Sequence, residues 1–152
     1  MRGLVTDRHV YLRNFTPDRW PSGNPETGYL DTDGGATKSL ILREHRVHRD
    51  DPFWQVCFGL RPGEELYDLT TDPGCLRNLA AEPAHSRTRE QLARRLDRRL
   101  RREGDPRVSG MGDVFDRYPH AQPGHTNFHA RYLQGESLKT GWVEPTDFES
   151  SP

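Results

Sequence analysis

An α+β fold is predicted for this chain of 152 residues. The expected architecture is a small antiparallel sheet of about four strands packed against a C-terminal amphipathic helix, with a long Pro/Gly loop and an irregular C-terminal tail. Three observations predict it. Short runs of β-branched, aromatic and aliphatic residues at Leu4–Phe15 and Leu66–Leu69 suit a pleated, half-buried surface. A segment opening at Pro83 repeats apolar side chains every fourth position, as one face of a helix does. The stretches between are rich in Pro and Gly and fit neither period.

Taken in order, Leu4–Phe15 reads as two strand segments, or as one strand with a turn at Thr6-Asp7-Arg8. Val10 and Leu12 then lie on one face and Tyr11 on the other. From Thr16 to Ala36 the chain meets Pro17, Pro21, Gly23, Pro25, Gly28, Gly34 and Gly35, with Trp20 and Tyr29 among them. A loop beyond roughly 12–15 residues is functional, disordered or supported from outside, and the two aromatics favour support by a partner. Thr37–His48 reads as a helix capped by Thr37, with Leu40, Ile41 and Val47 inward, although Leu40-Ile41-Leu42 also suits a strand. Asp51-Pro52 opens the apolar segment Phe53–Phe58, which Gly59 ends.

Glu64–Leu79 is the hinge of the chain. Leu66, Tyr67 and Leu69 make a strand that stops at Asp72-Pro73-Gly74, where Pro fixes φ and Gly is free to turn. The helix from Pro83 to about Arg102 has Pro83 in its first turn and Gly104-Asp105-Pro106 as cap and stop. Its apolar stripe is Ala84, Thr88, Leu92, Leu96 and Leu100. The tail from His120 to Pro152 carries Phe128, Tyr132, Trp142 and Phe148 among Gly, Pro, Ser and Thr, and reads as an extended or partly disordered appendage.

The chain is 32% apolar and 30% charged with a net charge of −1, so no global field draws it to nucleic acid or to a membrane surface. No apolar run approaches the roughly 18 residues of a membrane span. Cys57 and Cys75 are too few for a disulfide framework and lack metal spacing, so buried free thiols are expected. The first strand begins almost at Met1 with no signal-peptide core, which reads as a chain that stays where it is made and that has been cut into rather than begun.

The segment Glu65-Leu66-Tyr67-Asp68-Leu69-Thr70-Thr71-Asp72-Pro73-Gly74-Cys75-Leu76-Arg77-Asn78-Leu79-Ala80 resembles the E-L-Y-D-L-x-x-D-P-x-x-x-x-N-L-A signature near the carboxyl end of type I sulfatases. Upstream, Asp7–Phe15 with its Tyr11-Leu12-Arg13-Asn14-Phe15 is similar to a strand of that family, and downstream Gly104–Val108 continues the likeness. The resemblance points to heparan N-sulfatases and bacterial sulfatases of the same branch. It implies that residues 1–119 form a sulfatase C-terminal subdomain lacking its catalytic domain, with 120–152 as the tail. The parent reaction is then hydrolysis of a sulfate ester or sulfamate, its partner the missing N-terminal catalytic domain, its substrate a sulfated saccharide, and the parent enzyme an exported one. The family's Ca²⁺ and its formylglycine, made from the Cys of C-x-P-S-R or C-x-A-S-R, belong to that missing domain, so no cofactor is expected in this chain. By the same resemblance, Asp18-Arg19-Trp20 and Asp31–Lys38 match a loop lying toward the catalytic domain, which makes Arg19, Asp33 and Lys38 the expected substrate-rim residues.

Other motifs carry less. Cys57-Phe58-Gly59-Leu60-Arg61 keeps the Cys-to-Arg spacing of the formylglycine motif, but Gly59 and Leu60 replace the Pro or Ala and the Ser. His120, His125 and His129 suggest a zinc site, yet Pro119, Pro123 and Gly124 break the helix that such spacing needs. Residues 87–102 hold eight Arg against Glu90 and Asp97. That density makes a stand-alone polyanion-binding module the rival function, with a nonfunctional truncated product as a third reading. A solvated helix face is the favoured reading of the Arg, since Glu90 to Arg94 and Asp97 to Arg101 are favourable pairs one turn apart. No catalytic set is predicted, and the chain alone is expected to hydrolyse nothing.

Overall fold

The computed structural model describes residues 1–23, 32–138 and 144–147. Tyr29, Trp142 and Phe148, singled out above, lie outside the described residues, as does the side chain of His129. The elements are β1 (Arg2–Val5), β2 (His9–Arg13), α1 (Ala36–Val47), α2 (Pro52–Cys57), β3 (Glu64–Asp68), α3 (Ser86–Glu103) and α4 (Phe128–Leu133), with short 3₁₀ turns between them. The chain divides into two compact units. One comprises Met1–Pro17 with Pro62–Tyr118, the other Asp18–Arg61 with Pro119–Pro152.

In the first unit β1, β2 and β3 form an antiparallel sheet in that order. Its register aligns Leu4, Tyr11 and Leu66 across the three strands. All three are buried, and they meet Leu92, Leu96 and Leu100 of α3 in one core with Leu79 and Ala80. Of the stripe predicted for this helix, Leu92, Leu96 and Leu100 pack on the sheet, whereas Thr88 is half-buried and Ala84 lies exposed in the 3₁₀ turn before it. Pro83–His85 forms a 3₁₀ turn that leads into α3, and Gly104 ends it at φ 71°, a left-handed conformation natural to glycine. Val10 and Leu12 lie half-buried on the opposite face from Tyr11, as the alternation requires. Beyond α3, Asp105 accepts from Arg2 Nε at 2.5 Å, and the Arg107 guanidinium lies 3.7 Å from the Phe115 ring centre.

The expected fourth strand is not seen: the described residues contain three. The apolar segment Phe53–Phe58 lies mostly in helix α2, because the Asp51 side chain accepts from Phe53 N–H at 2.9 Å and Pro52 occupies the first turn. In α1 the cap is Gly35, without a side-chain bond, and Thr37 sits inside the first turn. Its buried residues are Lys38, Leu42 and His45, spaced four and three apart, while Leu40 and Val47 are 47% and 69% exposed. The inward face is thus fixed by a polar residue at each end, which apolar counting does not see. Cys57 is exposed and Cys75 half-buried, so the expectation of buried thiols fails; both ends of their local segments are turns with little to cover them.

The second unit has its own core of Leu42, Trp54 and Phe58, with Trp20 and Ile41 packed on it. The His45 ring stacks on Trp54 at 4.0 Å, and Trp20 meets Trp54 edge-on at 5.6 Å. Phe128 of α4 is also buried.

Candidate functional site

The signature segment is a web of hydrogen bonds before it is anything else. Asp68 ends β3 and is buried; it accepts from Arg8 Nε and Nη2 at 3.1 and 2.8 Å and from the Thr70 N–H and hydroxyl at 3.0 and 2.5 Å. The Arg8 bond, with those of Thr70, holds the Asp68 carboxyl well below the usual carboxylate range. Asp72 accepts from the N–H groups of Leu76 and Arg77 at 3.0 and 2.9 Å, closing the turn in which Cys75 takes φ 52°, and these bonds lower its pKa as well. Asn78 Oδ1 accepts from Leu66 and Ala80 N–H at 2.9 and 3.0 Å while its Nδ2 donates to Glu64 O at 3.1 Å. Tyr11 O–H donates to Glu64 Oε1 at 2.5 Å, and burial together with that acceptor pushes the phenol above its usual range. Beside the turn, Asp68, Asp72, Arg77, Glu82 and His85 line an open groove of about 490 Å³.

The expected rim residues sit in the second unit. Arg19 is exposed in the turn after Pro17 and Asp33 is exposed three residues before α1. Lys38 is different: its side chain is 4% exposed, with Nζ donating to Thr32 O at 3.1 Å and lying 3.7 Å from Asp147 Oδ2. Asp147 is fully buried and accepts from Ser39 Oγ at 2.6 Å. Arg46 donates to the carbonyls of Thr146 and Asp147 at 2.7 and 3.0 Å. One face of α1 is therefore bound to the 145–147 turn through three polar side chains. Next to it, Ala36, Ser39, Leu40, Arg43, Arg46 and Thr146 line a second open groove, of about 500 Å³.

Sequence reasoning missed Asp147 and the bonds it receives. No spacing rule links positions 108 residues apart, and Thr-Asp after a Pro reads as a turn. The strand-and-turn reading of the signature also does not foresee that Asp68, Asp72 and Asn78, at strand end, turn and turn exit, close backbone groups with their side chains.

Among the described residues no group of three or more His, Cys, Asp or Glu side chains is placed to hold a metal ion. His120 and His125 have ring centres 5.7 Å apart, and His120 Nδ1 is engaged by the Gln122 backbone. Cys57 stands exposed at the end of α2 without the residues of the formylglycine motif. These positions fit neither Ca²⁺ nor a formylglycine nucleophile. On α3, Arg94, Arg99 and Arg101 pair with Glu90, Glu103 and Asp97 one turn away, at 3.4, 2.8 and 2.8 Å, while Arg95 and Arg98 are exposed. No helix among the described residues is long and apolar enough to cross a membrane.

The chain is similar to an ulvan-active sulfatase of Formosa agariphila, with 28% identity over 108 residues that cover 68% of this chain and 18% of that protein. The chain thus spans less than a fifth of the length of the curated relative it matches. No family model and no solved structure matches it. It carries a sulfatase-related region on an α+β fold.

Proposed function

We propose that this chain is the carboxyl-terminal subdomain of a sulfatase-like hydrolase of the heparan N-sulfatase-like and bacterial branch. In that reading it supports the substrate cleft of a catalytic domain supplied by other sequence and hydrolyses nothing alone. The observation that carries the proposal is the signature segment. Its Asp68, Asp72 and Asn78 all serve closure of the sheet edge and turn, as a supporting subdomain needs, and the same segment carries the resemblance to sulfatases. Hydrolysis of a sulfate ester or sulfamate requires an activated nucleophile, a cation for the sulfate oxygens and an acid for the leaving group, which the parent's catalytic domain supplies. The substrate class is a sulfated saccharide. Arg19 and Asp33 are its direct contacts at the rim, and Lys38, held on Asp147, fixes the start of α1 beside them.

The test is an assay of a chromogenic aryl sulfate and of a sulfated glucosamine with Ca²⁺, first with this chain and then with the polypeptide encoded immediately upstream added. Turnover is expected in the mixture only, with Arg19→Ala raising KM and leaving kcat near its original value. Turnover by this chain alone, abolished by Cys57→Ala, overturns the proposal. So does a mixture whose activity is the same without this chain.

A further inference from the structure

The two outer edges of the sheet are treated differently. Along β3 four of the outward backbone groups are occupied: Leu66 N–H by Asn78 Oδ1 at 2.9 Å, Leu66 O by Leu79 N–H at 2.8 Å, Glu64 O by Asn78 Nδ2 at 3.1 Å and Asp68 O by Asp72 N–H at 2.8 Å. Along β1 they are open. The pairing of β1 with β2 starts at Thr6 N–H, which donates to His9 O at 2.9 Å, and bonded pairs alternate in an antiparallel ladder. Leu4 therefore bonds to Tyr11, while Gly3 and Val5 turn their N–H and C=O groups away from β2. No hydrogen bond from a described residue outside the sheet reaches them. Gly3 is exposed and Val5 is 69% exposed. A groove of about 350 Å³ runs between this edge and α3, with Leu4, Leu96 and Leu100 beneath it and Arg99 and Glu103 on its wall.

An uncovered edge with alternating donors and acceptors is a template for another strand. We infer that its occupant is a second copy of this chain, bound antiparallel through β1 across a two-fold axis at Leu4. In that register Gly3 faces Val5 of the second copy and exchanges N–H and C=O with it, and both sheets become one. Three features make the edge complementary to itself. The exposed Val5 side chain comes to lie opposite Gly3, whose missing side chain is covered by Leu12 (a Cβ there would stand 2.7 Å from Leu12 Cδ2), so Val5 of each copy meets the Leu12 side chain of the other. Arg2 falls opposite Thr6 of the second copy and not opposite another Arg, and it is already neutralised by Asp105. On the groove wall Arg99 and Glu103 stand one turn apart with opposite charge, so the axis presents each to its opposite on the other copy. The interface is one short strand pair and falls in the small class below about 1,200 Å² that gives weak, reversible association. The inference stands on the open edge alone and does not depend on the parent's activity.

Sedimentation velocity of the full chain, from low micromolar to near-millimolar concentration, tests it. A monomer that converts to dimer with rising concentration is expected. Val5→Pro removes an N–H that β2 does not use, so it should keep the far-UV circular dichroism and the Tm while remaining monomeric throughout. Val5→Lys keeps the N–H and places a charge beside the axis, opposite Gly3 of the second copy, and it should also abolish the dimer. Arg99→Glu should weaken association about tenfold, and Arg99→Glu with Glu103→Arg should restore it. A wild-type chain that stays monomeric, or a Val5→Lys chain that dimerises as wild type does, overturns the inference. Monomer that is instead captured by the upstream polypeptide, with the capture lost in Val5→Lys, overturns it in favour of that partner.

Discussion

The Asn78 side chain stands where a neighbouring strand would stand for Leu66, accepting its N–H at 2.9 Å while the adjacent Leu79 N–H donates to Leu66 O at 2.8 Å. One amide thereby caps the outer edge of β3 and joins the strand to the exit of its turn. Asn78→Ala leaves the N–H groups of Leu66 and Ala80 without that acceptor and should cost about 1–2 kcal/mol in urea unfolding. Asn78→Asp keeps an acceptor and loses the donor to Glu64 O, so it should cost less.

Asp68 couples the β1–β2 turn to the end of β3 through Arg8, and its pKa is depressed in the folded chain. A depressed carboxyl binds fewer protons folded than unfolded over the acid range. Its contribution is therefore complete above the ordinary carboxylate pKa near about 4 and is lost as pH falls below it. Thermal unfolding measured from pH 7 down to the acid limit should show a falling Tm below that point. Asp68→Asn should flatten this part of the profile and lower the Tm at neutral pH, and an unchanged acid slope would count against the Arg8 pairing.

Lys38 and Asp147 are both buried and 3.7 Å apart. Removing one partner strands the other charge away from water, so Lys38→Ala should destabilise the chain by about 3–5 kcal/mol. The double change Lys38→Met with Asp147→Leu removes both charges and should recover most of that loss. Equilibrium denaturation with a tryptophan signal reads both, because Trp20 and Trp54 belong to the same unit.

Three of the α3 arginines are held in pairs one turn apart. Heparin should therefore bind weakly and release at modest salt, with a shallow dependence of affinity on salt concentration. Changing Arg94, Arg95, Arg98 and Arg99 to Gln should leave the Tm nearly unchanged. A micromolar interaction abolished by those changes would favour the polyanion-binding reading.

The sheet and α3 were legible because their patterns are local. Tyr11 alternates with Val10 and Leu12, and Leu92, Leu96 and Leu100 repeat along one helix face. The apolar count failed where polar residues decide orientation: Lys38 and His45 point inward on α1 because Asp147 and Trp54 receive them, leaving Leu40 and Val47 outside. The expected fourth strand has no counterpart among the described residues, and the short apolar segment Phe53–Phe58 is mostly helical because Asp51-Pro52 starts a helix there. Of the rim, Asp33 and Arg19 stand exposed as a loop reading suggests, whereas the burial of Lys38 depends on residue 147, beyond any local pattern.

Asn14 N–H donates to Gly63 O at 2.9 Å, directly beyond the last paired residues of β2 and β3. The chain leaves the first unit and returns to it at a single rung, so residues 18–61 behave as an insertion into what is otherwise a hairpin. The order of assembly follows. The β1–β2 hairpin closes on local contacts, but β2 and β3 meet only after a long excursion has been gathered in, at an entropic cost that grows slowly with its length. The late step expected in folding this unit is thus the arrival of β3, and the bonds from Arg8 to Asp68 and from Asn78 to Leu66 hold the strand once it has arrived.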